Sequence, residues 1–145
     1  MNIFEEYLNK ITTLIFKNQK LLKLNNLSNF KGIVVESPPV EFNFDLSCNA
    51  GLILGKINKI NPNELSNKIK ELILKDLKDF ESIEIAGPGF INLKLTNKSL
   101  ILNINKILKN KDTYGRKNSN NNYNIEFVSA NPTGPMHVGH CRGAI

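Results

Sequence analysis

The sequence predicts an α+β domain, with helices packed on a small and mainly antiparallel sheet, followed by the first strand and turn of an open α/β sheet. Three observations predict it. Apolar residues recur every three to four positions in four stretches, two short runs alternate on either side of Gly87-Pro88-Gly89, and an apolar run from Ile125 enters a loop holding Pro132, Gly134 and Pro135. Helical spacing beside hairpin spacing argues α+β. A strand running into a Gly/Pro-rich turn is how an open sheet builds a ligand site at the carboxyl end of its first strand.

The elements follow in order. Ile3, Phe4, Tyr7, Leu8, Ile11, Leu14, Ile15, Leu21 and Leu22 share one helical stripe between Ile3 and Leu24. Ile33-Val34-Val35 reads as a strand stopped by Pro38-Pro39. Phe44 to Ile60 is expected to be a second helix, capped by Asp45 and presenting Leu46, Ala50, Ile53, Leu54 and Ile57 on one face. Asn61-Pro62-Asn63-Glu64 marks a third start, because Asn caps, Pro suits the first helical position and Glu64 follows three residues after the cap. That helix carries Leu65, Ile69, Leu72, Ile73 and Leu77 inward and pairs Glu64 with Lys68 and Glu71 with Lys75 outside. Ile83 and Ile85, then Ile91, Leu93 and Leu95, alternate across a hairpin. A last helix, Asn97 to Lys109, aligns Leu100, Ile101, Ile104, Ile107 and Leu108. Residues 1–109 thus form the first domain, the polar stretch 110–124 a linker, and 125–145 the beginning of a second unit.

Composition narrows the function classes. With 41% hydrophobic and 22% charged residues the 145-residue chain can bury a core. Its formal net charge of +6 suits a polyanion such as RNA, but the excess is nearly all Lys, Arg116 and Arg142 being the two arginines, and a biased composition would produce the same figure. Cys48 and Cys141 form no CxxC pair and read as structural or incidental thiols. No apolar run approaches the roughly 20 residues of a membrane span, and the start MNIFEEYLNK is no signal peptide, so a reducing, cytoplasmic setting is expected.

Two groups of residues could carry chemistry. Around the Ile125 strand, Glu126 is an acid where burial is costly unless a cation or donor meets it. Ser129 and Asn131 lie at the strand's end, where ligands bind in such sheets. His137 and His140 are three apart, so a helical first turn would aim both at one anion, and Gly139 between them lets a flat base or ribose approach the backbone. A zinc site is not suggested, since only Cys141 could add to those two ligands. On the hairpin, Phe90, Asn92, Lys94 and Thr96 share the face opposite Ile91, Leu93 and Leu95. A ring for stacking, an amide for a base edge and an ammonium for a phosphate suit unpaired RNA bases, although a solvated strand face would look alike.

The segment Glu126-Phe127-Val128-Ser129-Ala130-Asn131-Pro132-Thr133-Gly134-Pro135-Met136-His137-Val138-Gly139-His140 resembles the first-strand signature and HIGH motif of the class I aminoacyl-tRNA synthetases, and specifically the arginyl-tRNA synthetase family. Upstream, Phe44-Asp45-Leu46-Ser47-Cys48-Asn49-Ala50 and Ala86-Gly87-Pro88-Gly89-Phe90-Ile91-Asn92 resemble two signatures of that family's N-terminal domain. The resemblance implies ATP-dependent ligation of L-arginine to its tRNA through an arginyl-adenylate, with Mg²⁺ as the nucleotide's counter-ion and no protein-bound metal. It implies that Glu126, Ser129 and Asn131 hold arginine, that His137, Gly139 and His140 bind ATP with the two histidines catalytic, and that Phe90, Asn92 and Lys94 meet the tRNA D-loop. The expected partners are tRNA(Arg), L-arginine and ATP, with no membrane, and the expected state is a monomer.

Residues 125–145 hold only the opening strand and turn of the Rossmann-like catalytic domain the resemblance implies, without a second signature loop or an anticodon-binding domain. The expectation is therefore an N-terminal piece of a longer enzyme, inactive alone. A stand-alone tRNA-binding module ending near Lys109 and a small HxGH nucleotidyltransferase are the alternatives. The latter usually carries its motif near the start of its domain.

Overall fold

Asn2 opens the first helix by accepting a hydrogen bond from the Glu5 backbone N–H at 2.9 Å. Helix α1 (Ile3–Lys17) then buries Tyr7, Ile11, Leu14 and Ile15, the predicted stripe, and ends well before Leu24. Leu22 and Leu24 are still buried, whereas Leu21 is exposed. The structure is a computed structural model that describes residues 2–25, 30–116, 122–125, 134–135 and 137–141, apart from the side chains of His140 and Cys141.

Four strands make one sheet, β1 (Val35–Glu36), β2 (Leu46–Cys48), β3 (Phe80–Ala86) and β4 (Phe90–Leu95), in the order β1-β2-β4-β3 with every neighbouring pair antiparallel. Helices α1, α2 (Ala50–Asn58) and α3 (Pro62–Asp76) cover one face. There the core joins Val35, Leu46, Cys48, Ile83, Ile91, Leu93 and Leu95 to Ile11, Ile15, Leu54, Leu65, Ile69 and Ile73. This is the α+β architecture that the spacing predicts. No helix of the described residues is long and apolar enough to cross a membrane.

The expected helix over Phe44–Ile60 is corrected. Leu46–Cys48 is a strand, all three residues buried, and the helix begins only at Ala50. Asp45 caps no helix. Its backbone N–H donates to Leu93 O at 3.1 Å and its carboxylate accepts from the Leu95 N–H at 2.8 Å, so it extends the β2–β4 pairing by one residue. Asn49 occupies the cap position without capping, and its side chain ties down the edge strand instead. Its Oδ1 accepts from Val34 N–H at 2.8 Å and its Nδ2 donates to Gly32 O at 3.0 Å. The predicted strand Ile33-Val34-Val35 is shifted to Val35–Glu36. At α3 the expectation and the structure coincide: Asn61 accepts from the Asn63 and Glu64 N–H groups, and Pro62 opens the helix. Glu64 with Lys68 and Glu71 with Lys75 are not among the ion pairs between described residues. Exposed pairs of this kind contribute only a few tenths of a kcal/mol.

Helix α4 (Asn97–Asn110), capped by Thr96, runs into a short 3-10 turn at Lys111–Thr113. It packs by a different face from the one its apolar spacing predicts. Ser99 and Asn103 are buried, Leu100 is half-buried, and Ile101, Ile104 and Leu108 stand 57%, 54% and 64% exposed. Polar groups set this orientation. Lys106 Nζ meets Glu6 at 2.7 Å, Glu6 meets Lys10 at 3.1 Å, Lys10 meets Asp79 at 3.0 Å, and Ser99 Oγ donates to Asp79 Oδ1 at 3.3 Å.

This network has a pH signature. Burial works against the Glu6 charge, but hydrogen bonds from Lys106 and Lys10 outweigh it and hold the carboxyl below its ordinary 4.5. Burial likewise works against the Lys10 charge, and Asp79 and Glu6 outweigh it, raising the ammonium above 10.5. A depressed acid stabilises the fold fully above its unfolded value and loses that contribution as pH falls through the folded one. A raised base stabilises fully below its unfolded value and loses that contribution as pH rises through the folded one. The network should therefore act fully between about pH 4.5 and 10.5. Thermal melts across acid pH are expected to show a shallower acid limb for Glu6→Gln than for the parent.

Cys48 lies in the core with no exposed surface, and burial pushes its thiol up to about 11. A thiolate is the nucleophile, so this sulfur should resist alkylation until the domain opens. Peptide mapping after iodoacetamide treatment is expected to find Cys48 unmodified in the native protein and fully modified in denaturant.

Candidate RNA-binding site

The sheet face opposite the helices carries a row of polar residues set by strand register. Glu36 pairs with Ser47, Ser47 with Asn92, and Asn92 with Glu84, so one residue from each strand lines up across the sheet. Directly paired residues point to the same face. The segment after β1 folds over this row, with Pro38 buried and the Phe42 N–H donating to Pro39 O at 3.0 Å.

A pocket of about 330 Å³ results, at the small end of the roughly 300–1,000 Å³ usual for ligand sites. Ser47 and Asn92 lie beneath it; Phe90, Ala86 and Gly87 bound it on the hairpin side, and Pro38, Pro39 and Phe42 on the other. Asn92 is only 4% exposed, and its carboxamide makes no hydrogen bond among the described residues. Among the described residues the buried side-chain polar atom left without a partner is Asn103 Oδ1, so the Asn92 amide keeps some surface toward the pocket, where a ligand or water can meet it. Among the described residues no Lys, Arg or His lines the pocket. An aromatic wall, proline walls and a polar floor suit a flat, neutral ring better than a phosphate.

Phe90 and Asn92, predicted from strand alternation, thus share one pocket. Lys94 does not line it. It lies farther along β4, where its Nζ donates to Asn43 Oδ1 at 2.9 Å and sits 3.7 Å from Asp45 Oδ1. Glu36, Ser37, Pro38, Pro39, Phe42 and Ser47 were not singled out from the sequence, because sheet pairing brings them in from a distance. The Pro38-Pro39 pair followed by Phe42 is the one local signal that could have pointed to a wall.

Of the residues near the chain's end, Glu126, Ser129 and Asn131 lie outside the described residues, as does most of the predicted strand that carries them. His137 is exposed at the start of a short helix, α5 (Val138–Cys141), and its Nδ1 accepts the Gly139 N–H at 3.1 Å. A Cβ on Gly139 would come within 2.9 Å of the His137 ring, so glycine here makes room for that histidine's own side chain. His140 lies in α5, and its side chain is not described.

The two upstream segments that carry the resemblance are neighbours in space: β2 and β4 pair through Leu46 with Leu93, Ser47 with Asn92 and Cys48 with Ile91. An antiparallel sheet with one face on helices and the other holding a ring-sized pocket defines a small α+β domain. Residues 3–95 match the family described as the arginyl tRNA synthetase N terminal domain, and the chain belongs to that family. It is 46% identical over 149 residues to the arginine–tRNA ligase of Pelagibacter ubique (strain HTCC1062), an alignment covering all of this chain and 26% of that protein. Against the arginine–tRNA ligase of Bartonella quintana (strain Toulouse) it is 40% identical over 154 residues, covering all of this chain and 25% of the relative. Against that of Rickettsia prowazekii (strain Madrid E) it is 42% identical over 147 residues, with coverage of 100% and 24%. The chain spans about a quarter of the length of these curated relatives. The crystal structure of arginyl-tRNA synthetase from Plasmodium falciparum aligns with 68% of this chain and 18% of its own at 22% identity, with a TM-score of 0.49.

Proposed function

We propose that this chain is the tRNA-contacting N-terminal part of an enzyme that ligates L-arginine to tRNA(Arg) through an arginyl-adenylate. The observation that carries the reading is the pocket in which Phe90 and the unpartnered Asn92 amide converge, within a chain of the arginyl tRNA synthetase N terminal domain family. An aromatic ring stacks on an unpaired base, and the amide reads its edge. The formal charge of +6 supports the same partner, because lysines near phosphates release counterions and make binding salt-dependent. Lys94 serves phosphate near the pocket rather than the base inside it.

For the ligation itself the resemblance supplies the roles. Glu126 pairs its carboxylate with the substrate guanidinium, and Ser129 and Asn131 lie beside the amino-acid moiety. His137 and His140, with Gly139, meet the phosphates of ATP and stabilise charge as the arginine carboxylate attacks the α-phosphate and pyrophosphate leaves. A cytoplasmic, monomeric enzyme is part of this reading.

The purified 145-residue chain is expected to retard tRNA in a gel, with an affinity that falls as salt rises, and to show no aminoacylation. Aminoacylation by the chain alone would overturn the division of labour. Absence of any tRNA binding at low salt would overturn the role of the pocket.

A further inference from the structure

We propose that Glu36 is a specificity residue of the pocket, selecting a nucleobase that carries an exocyclic amino group over one that presents a carbonyl there. The proposal rests on the reading that Phe90 and Asn92 receive an RNA base. Among the described residues Glu36 is the only charged one lining the pocket, and its charge is negative. Across the sheet it stands two strands from Asn92, through the Glu36–Ser47 and Ser47–Asn92 pairs. That separation is about 10 Å between Cα atoms, wide enough for a flat ring to stand between the two side chains.

The chemistry then divides the bases. An ionised carboxylate only accepts hydrogen bonds, so it favours an N–H₂ edge and repels a carbonyl oxygen placed against it. Cytosine and uracil are nearly isosteric and differ where this matters, N4–H₂ against O4. Asn92 is indifferent to the exchange, because a carboxamide can turn to donate or accept. Discrimination therefore falls to Glu36. The same negative charge, with no cation among the described lining residues, turns phosphate away and leaves the base as the group that enters.

The test uses the purified chain and labelled single-stranded oligo(rC), oligo(rA) and oligo(rU) at one fixed salt concentration. The parent is expected to bind oligo(rC) and oligo(rA) at least about fivefold tighter than oligo(rU), the lower part of the range for a good edge contact. Glu36→Gln, whose amide both donates and accepts, should bring oligo(rC) and oligo(rU) to within about twofold of each other. Glu36 is exposed on the edge strand, so this near-isosteric change should leave the melting temperature in place. Equal binding of oligo(rC) and oligo(rU) by the parent, or unchanged discrimination in Glu36→Gln, overturns the proposal. If tRNA is retained and Asn92→Ala weakens it while either of those results holds, the role of Glu36 fails and the tRNA reading stands. If neither tRNA nor any oligonucleotide binds, both fail.

Discussion

Phe90→Ala is expected to weaken tRNA binding by about fivefold or more, since removing an aromatic platform costs ~1–3 kcal/mol per stacked base. The ring is half-buried on the sheet face away from the helices, and the core residues of β4, Ile91, Leu93 and Leu95, point the other way. The fold should therefore melt within a few degrees of the parent. Asn92→Ala should lower affinity to a similar degree for a different reason. The carboxamide has no hydrogen-bonding partner among the described residues, so its loss leaves no protein group unsatisfied and removes only what it offers a ligand. Lys94→Ala is the control: held by Asn43 and beside Asp45, it should cost less affinity and mainly flatten the salt dependence. Anisotropy titrations of the three variants at two salt concentrations would check this. A loss in Lys94→Ala as large as in Asn92→Ala would move the contact surface off the pocket and along β4.

Features written into neighbouring residues were legible in the sequence, whereas those that depend on distant strands were not. The Asn61-Pro62-Glu64 start and the alternation about Gly87–Gly89 are local, and both elements form as expected. The strand β2 is three residues long and buried throughout, so it shows no alternation, and Leu46 fell in step with a helical spacing that properly begins at Ala50. What makes it a strand is its pairing with Val35 on one side and Leu93 on the other. Likewise the apolar spacing of α4 correctly gives a helix and the wrong inward face. Contacts from Glu6 and Asp79, far back in the chain, fix its rotation through Lys106 and Ser99. The site divides in the same way: Phe90 and Asn92 sit on one legible strand face, while Glu36 and Ser47 join them only through sheet order.

Gly51→Ala is expected to be among the most destabilising single-methyl changes in the domain, by about 2–5 kcal/mol from overpacking together with a broken buried hydrogen bond. A Cβ at this position would fall on Ser66 Oγ, 2.9 Å from Ser66 Cβ and 3.0 Å from Gly89 O. Ser66 Oγ is fully buried and donates to that same Gly89 carbonyl at 2.8 Å, joining α3 to the hairpin turn where α2 crosses it. The turn has little freedom to retreat. Gly89 has φ +112°, which favours glycine, and it packs against Pro62, so its carbonyl cannot swing clear without disturbing the start of α3. At ~4–8 °C per kcal/mol for a domain of this size, the melting temperature should fall by about 10 °C or more. Adding Ser66→Ala should recover part of the loss, because it removes the hydroxyl the new methyl collides with, so the double variant should be more stable than the sum of the two singles. Simple additivity would place the strain elsewhere. Gly89 immediately precedes Phe90, so a displaced turn also shifts the pocket's aromatic wall. Gly51→Ala should accordingly lose tRNA affinity even well below its melting temperature, although Gly51 does not line the pocket.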